Sequence, residues 1–198
     1  MRLWICLHEV THHAVLGIPH IRKNLSGLLS QHAESFNSDP SVIQDQFGEI
    51  EIGEGLEGLA SLQNVLNPEM VLGAVRSPQQ EALLPYLEAL VAVIIGFVDY
   101  TMDQIGNDLI PSYPMMTEAL RRRRVETGEA DRFVEKILGL NLTQQQVDRG
   151  VSFIDGIIER TGSKGLDRLW VNESNLPTPN EVDAPGLWLA RLDLETGN

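Results

Sequence analysis

Leu3-Trp4-Ile5-Cys6-Leu7-His8-Glu9-Val10-Thr11-His12-His13-Ala14-Val15-Leu16 is the stretch from which the rest of the chain can be read. Trp4, Leu7, Val10, Thr11, Ala14 and Val15 recur at three- and four-residue steps, with no proline before Pro19. That period is the mark of a helix with one face turned inward. Inside it lies His8-Glu9-Val10-Thr11-His12, an H-E-x-x-H pattern. Positions i and i+4 of a helix sit one above the other, so the imidazoles of His8 and His12 can hold one zinc ion between them. Glu9 is then placed to take a proton from a metal-bound water as general base.

Outward from this helix, Gly, Pro and Asn punctuate a series of further helical segments, and no convincing period-2 strand appears. The first helix is expected over Leu3 to Leu16, stopping at Gly17-Ile18-Pro19, and a second from His20 to about Phe36. The acidic, glycine-containing stretch from Phe47 to Asn67 reads as a loop or a short helix. Ser77-Pro78 opens a long apolar helix to about Ile105, with Ser77 as N-cap and Gln80 completing a capping box. Pro111 and Pro114 precede a helix holding Arg121 to Arg124, and a segment from Ala130 to Leu138 follows. Thr143 should cap a helix reaching Thr161-Gly162. After it come Leu166 to Val171, a proline-containing loop at Leu176-Pro177-Thr178-Pro179, and a last turn or two from Glu181 to Leu192. The fold class expected is all-α: one helical domain over residues 1–192, with a frayed tail at 193–198.

Bulk composition narrows the function. The 198 residues carry 15 Lys+Arg against 28 Asp+Glu, a formal net charge of −13. This argues against a nucleic-acid binder, which needs a basic face, and against docking on an anionic membrane. A single cysteine, Cys6, excludes an internal disulfide and any Cys-rich zinc knuckle. Two residues before His8, it points away from the metal face and reads as a small core residue. The apolar run from Ala89 to Val98 is too short to span a bilayer and reads as buried core. With no signal peptide visible, the expected setting is cytoplasmic.

A catalytic zinc needs a third protein ligand and an open position for water. An extended H-E-x-x-H pattern would place a further His on an H-x-x-G-x-x-H loop, but position 18 is Ile18. His13 points about 100° away around the helix from His12. His20 follows a proline turn, and His32 is expected to be exposed. The long helix offers another source, because Glu88, Ile95, Asp99 and Asp103 share one stripe. Carboxylates on an apolar helix are costly to bury without a partner, and a metal with its imidazoles, or solvent at the helix ends, would serve. Arg121 to Arg124 could receive an anionic group or pair with Glu118 and Glu126, and the second is favoured. Tyr100 could donate to an oxyanion, and Trp170 and Trp188 read as core anchors.

Several pieces occur together in a recognisable order. They are the H-E-x-x-H helix, Gly96-Phe97-Val98-Asp99-Tyr100-Thr101-Met102-Asp103, Leu120-Arg121-Arg122-Arg123, Leu138-Gly139-Leu140-Asn141-Leu142, Gly150-Val151-Ser152-Phe153, Leu169-Trp170 and Leu176-Pro177-Thr178. From about Leu3 to Leu192 the chain resembles the zincin-like metallopeptidases of actinobacteria and chloroflexi, a family sometimes labelled as associated with deazaflavin-coenzyme biosynthesis. The resemblance implies a mostly helical zinc hydrolase. It also implies a Glu-Gly-His before the Asp of the second helix, where this chain has Ile95-Gly96-Phe97. The implied third ligand is thus an isoleucine, and Asp99 remains as an acid that steadies a ligand histidine or substitutes as a ligand. Members carry a substantial segment before the H-E-x-x-H helix, so the chain resembles their C-terminal half. An apolar face left bare by that segment would favour homo-oligomers.

Two functions are therefore expected as rivals. One is a zinc metallopeptidase or related hydrolase, with a peptide or small-molecule substrate, metal ligands His8, His12 and Asp99, and catalytic Glu9. The other is a degenerate, non-catalytic helical binding protein that lost its metal with Ile95.

Overall fold

A computed structural model describes residues 2–35, 77–125 and 144–197, with side chains described except at 120–125. Every regular element among them is helical. They are α1 (Arg2–Leu16), α2 (Pro19–Glu34), α3 (Pro78–Leu109), α4 (Tyr113–Val125) and α5 (Gln144–Thr161), then 3-10 segments at Ser163–Trp170 and Glu173–Asn175, then α6 (Pro179–Asp183) and α7 (Pro185–Thr196). The expected segment at Ala130 to Leu138 and the stretch from Phe47 to Asn67 lie outside the described residues.

α3 organises the rest. Its start is fixed as the sequence implies: the Gln80 backbone N–H donates to Ser77 Oγ (3.2 Å), and the Ser77 N–H donates to Gln80 Oε1 (3.0 Å). These bonds satisfy donors that a helix N-terminus leaves orphaned. Gln80 Nε2 also donates to the carbonyl of His32 (3.1 Å), tying the start of α3 to the end of α2. His32 is buried there, contrary to the expectation that it faces solvent. At 32 residues α3 outruns the Ala89 to Val98 stretch, and by length and composition it could cross a bilayer. Here it is the core helix, packed by other elements on neighbouring faces.

One face of α3 presents Ala89 and Val93 to a core built with Phe153, Ile154, Ile157, Leu166, Leu169, Val182 and Trp188. The adjacent face presents Leu90, Ile94, Val98 and Met102 to Val15, Ile21 and Tyr113. Trp4 and Leu7 pack on this second core, and Trp170 touches both. α3 and α5 cross where Gly96 meets Gly150: a Cβ on Gly96 would run into the Gly150 backbone, and one on Gly150 into the Ala92 carbonyl. Missing side chains let the backbones approach, and the rest of the core closes around that contact.

The C-terminal part locks onto this frame by polar contacts. Arg149 on α5 holds Asp183 through Nε (2.6 Å) and the Pro179 carbonyl through Nη2 (2.7 Å). Arg191 grips Glu181 with Nε to Oε1 at 2.7 Å and also donates to the carbonyls of Ser174 and Leu176. Trp188 is fully buried and donates its indole N–H to the Asn175 carbonyl (2.6 Å), a core anchor as expected. The last segment divides into two helices, because Pro185 cannot continue α6 and instead starts α7 with its ring seated on Gly156. α7 runs on to Thr196 instead of fraying after Leu192, and Arg168 donates to Asp193 within it (2.8 Å).

Candidate functional site

The face of α1 turned toward α3 is a column of rings. Trp4 and His8 are stacked, centroids 4.6 Å apart and planes within 18°. His8 and His12 meet edge to face, centroids 4.5 Å apart. Thr11 is buried beside them, its hydroxyl satisfied by the Leu7 carbonyl (2.8 Å) within the helix. The i, i+4 spacing of residues 4, 8 and 12 stacks these side chains along one stripe. Glu9 lies round the helix toward solvent with its side chain 64% exposed, yet a carboxylate oxygen stays 3.9 Å from His8 Nδ1. The exposed carboxylate can therefore swing between the imidazole and bulk water.

Across from this column, α3 contributes Asp99, half-buried, and Asp103, exposed. Glu88 is also half-buried, so solvent reaches all three acids of the stripe and relieves the burial cost that the sequence raises. The tight turn after α3 brings Tyr113 back, and its hydroxyl donates to Asp103 Oδ1 (2.7 Å). The Tyr113 ring lies on the bare backbone of Gly106, where any Cβ would overlap it. Burial first, then the bond to Asp103 and the negative charges of Asp103 and Asp99, push this hydroxyl well above the ordinary phenol range. Tyr113 stays protonated. The Trp4 indole N–H is buried and has no hydrogen-bond partner among the described residues.

The remaining candidates fall elsewhere. Cys6 and His13 are exposed, so Cys6 does point away from the ring column but is not a core residue. His20 is half-buried near the start of α2, with Nε2 enclosed. Tyr100 packs on the other core, beside α5 and α7 residues, and so belongs away from the column. Ile95 is half-buried on α3, one turn before Asp99. Arg121 to Arg124 lie on α4 as expected, with side chains outside the described ones.

Two imidazoles are suited in chemistry to zinc. In number the donors fall one short, because among the described residues no three His, Cys, Asp or Glu side chains gather closely enough to hold a metal ion. The structure thus brings His8, His12 and Glu9 together on α1 and carries Asp99 on α3. Sequence reasoning missed Tyr113 and the stacking role of Trp4. The available signals were the i−4 spacing of Trp4 from His8, and the Pro111 and Pro114 pair that folds Tyr113 back toward Asp103.

The sequence profile of the zincin-like metallopeptidases matches residues 1–189. The chain belongs to the zincin-like metallopeptidase family. Zinc is the ion that such a family implies. Among solved structures, this zincin-like chain is similar to a protein from Chloroflexus aurantiacus described as a candidate hydrolase with a novel fold. The TM-score is 0.57 at 22% identity, over 97% of this chain and 51% of that one. The chain therefore spans about half the length of that protein, and the likeness speaks for a shared fold. No curated protein matches the sequence.

Proposed function

We propose that this zincin-like chain provides the water-activating helix of a zinc-dependent hydrolase that cleaves a peptide or a small-molecule amide or ester. The observation that carries the reading is the edge-to-face approach of His8 and His12 on the inward stripe of α1, with the exposed Glu9 carboxylate 3.9 Å from His8. His8 and His12 would hold the metal, and Asp99 would steady one imidazole or approach as a further ligand. Zinc, when bound, supplies Lewis acidity and a more acidic water. Glu9 takes a proton from water at its free carboxylate oxygen and delivers it to the leaving group, a role its exposure and freedom to rotate support. The net charge of −13 favours a neutral or cationic substrate over an anionic one and makes nucleic acid and anionic membrane poor partners.

The test is Glu9→Gln, assayed on a fluorogenic peptide library with zinc content measured alongside. Loss of hydrolysis by about 10²- to 10⁴-fold with zinc unchanged is the expected result. Activity that survives the substitution removes Glu9 from the chemistry. A second reading, a non-catalytic helical binding protein, draws on the half-buried Ile95 and on the lack of a three-donor group among the described residues. It leads if the native chain neither binds zinc nor hydrolyses any peptide.

A further inference from the structure

His8 is the middle ring of the column on α1, with Trp4 one turn before it and His12 one turn after. Its imidazole lies nearly parallel to the Trp4 indole, centroids 4.6 Å apart and planes within 18°. With His12 it makes the edge-to-face contact, planes 63° apart. Trp4 is itself seated against the second core, beside residues of α2 and α3. Its indole N–H is enclosed and has no hydrogen-bond partner among the described residues. Packing on the core and on His8 is therefore what the Trp4 ring contributes here.

We propose that Trp4 is a positioning residue for His8: its indole face sets the plane of the imidazole that would hold zinc together with His12. The reason lies in the geometry of a ring nitrogen. Its lone pair lies in the ring plane, so the direction in which a metal can be held turns with that plane. The torsion that turns an imidazole about its Cβ–Cγ bond is broad and roughly two-fold, so the helix backbone does not choose the plane. Glu9 stands 3.9 Å from His8 Nδ1, beyond hydrogen-bond distance, and does not choose it either. A flat neighbour does, because tilting the imidazole breaks the stacked contact. The i−4 spacing supplies that neighbour, since helical side chains lean back over the preceding turn. The inference rests on the proposed function, whose metal-binding pair is the pair being oriented.

The decisive experiment reads ring geometry in the metal-free chain, so it stands or falls separately from zinc binding and hydrolysis. Proton NMR measures the nuclear Overhauser effect between the His8 and His12 rings, assigned against His8→Gln and His12→Gln. The edge-to-face contact should make that effect strong in the native chain. Trp4→Leu removes the flat face and should weaken it steeply, because the His8 ring is then free to turn. Trp4→Phe keeps a flat face and drops an N–H that has no partner, so it should retain the effect without loss of folding. Leu25→Ala, packed on the same core from α2, controls for general loosening and should retain it too. An undiminished effect in Trp4→Leu overturns the proposal, as does an equal loss in Leu25→Ala or in Trp4→Phe. Should Trp4→Leu fail to fold, Trp4→Met takes its place, filling the volume with a flexible chain that has no flat face. Zinc dissociation constants, by competition with a chromogenic chelator, should rise about 2- to 10-fold in Trp4→Leu and recover in Trp4→Phe. Equal constants in the native chain and both variants would confine Trp4 to packing and sink the positioning role.

Discussion

Substituting Gly150→Ala tests whether the crossing of α3 and α5 depends on a bare backbone. A Cβ built there would overlap the carbonyl of Ala92, and the Gly96 backbone nitrogen lies 3.2 Å from the same point. Neither obstacle is the movable end of a side chain, so the helices must separate. Overpacking of a well-filled core costs about 1–3 kcal/mol, and a clash with rigid backbone belongs at the upper end, about 3 kcal/mol. Against this stands the better helix propensity of Ala, about 1 kcal/mol. The net loss is about 2 kcal/mol, a fall in Tm of about 4–8 °C for a chain of this size. Gly27→Ala on α2 is the matched control, since its Cβ would meet nothing within 4 Å. That variant should gain close to the full propensity, about 1 kcal/mol. Urea unfolding followed by circular dichroism measures both changes. If Gly150→Ala proves as stabilising as Gly27→Ala, the close crossing is wrong.

The Glu181–Arg191 pair gives a pH prediction. Burial favours the neutral acid, but the Arg191 hydrogen bonds, the Thr178 N–H and the Arg191 charge outweigh it and hold the carboxyl below its usual range. A depressed folded-state value means that its stabilisation is present above the unfolded value of 4.5 and is lost as pH falls through the folded one. Glu181→Gln should therefore lower stability by about 2 kcal/mol at pH 7, a gap that closes in acid. A gap of the same size at pH 3, by thermal melts, would contradict it. Ile95→Glu restores a carboxylate one turn before Asp99, and zinc affinity should rise at least about tenfold by competition with a chromogenic chelator. An unchanged affinity would show that position 95 does not face the histidines.

Much of the fold was open to reading because it rests on local signals. The Ser77-Pro78 start, the Gln80 box and the three- and four-residue steps of α1 each act within a turn of helix, and each appears where the spacing puts it. What could not be read depends on contacts distant in the chain. His32 is buried because α3 returns to cap the end of α2, and Tyr100 falls on the α5 side because the crossing at Gly150 fixes the rotation of α3. α6 and α7 appear as two helices because Pro185 docks on Gly156, a partner nearly thirty residues earlier. In the site, the H-E-x-x-H register announces the ring column directly. The Tyr113–Asp103 bond joins residues ten apart across a turn and has no periodic signature.

The central claim is that His8 and His12 hold zinc. It is tested most directly by loading the purified chain with zinc, removing the excess by gel filtration, and measuring metal by mass spectrometry beside His12→Ala and Glu9→Gln. The account predicts about one zinc per chain in the native protein and in Glu9→Gln, and none in His12→Ala. No zinc in the native chain, or zinc that survives the loss of His12, would contradict it.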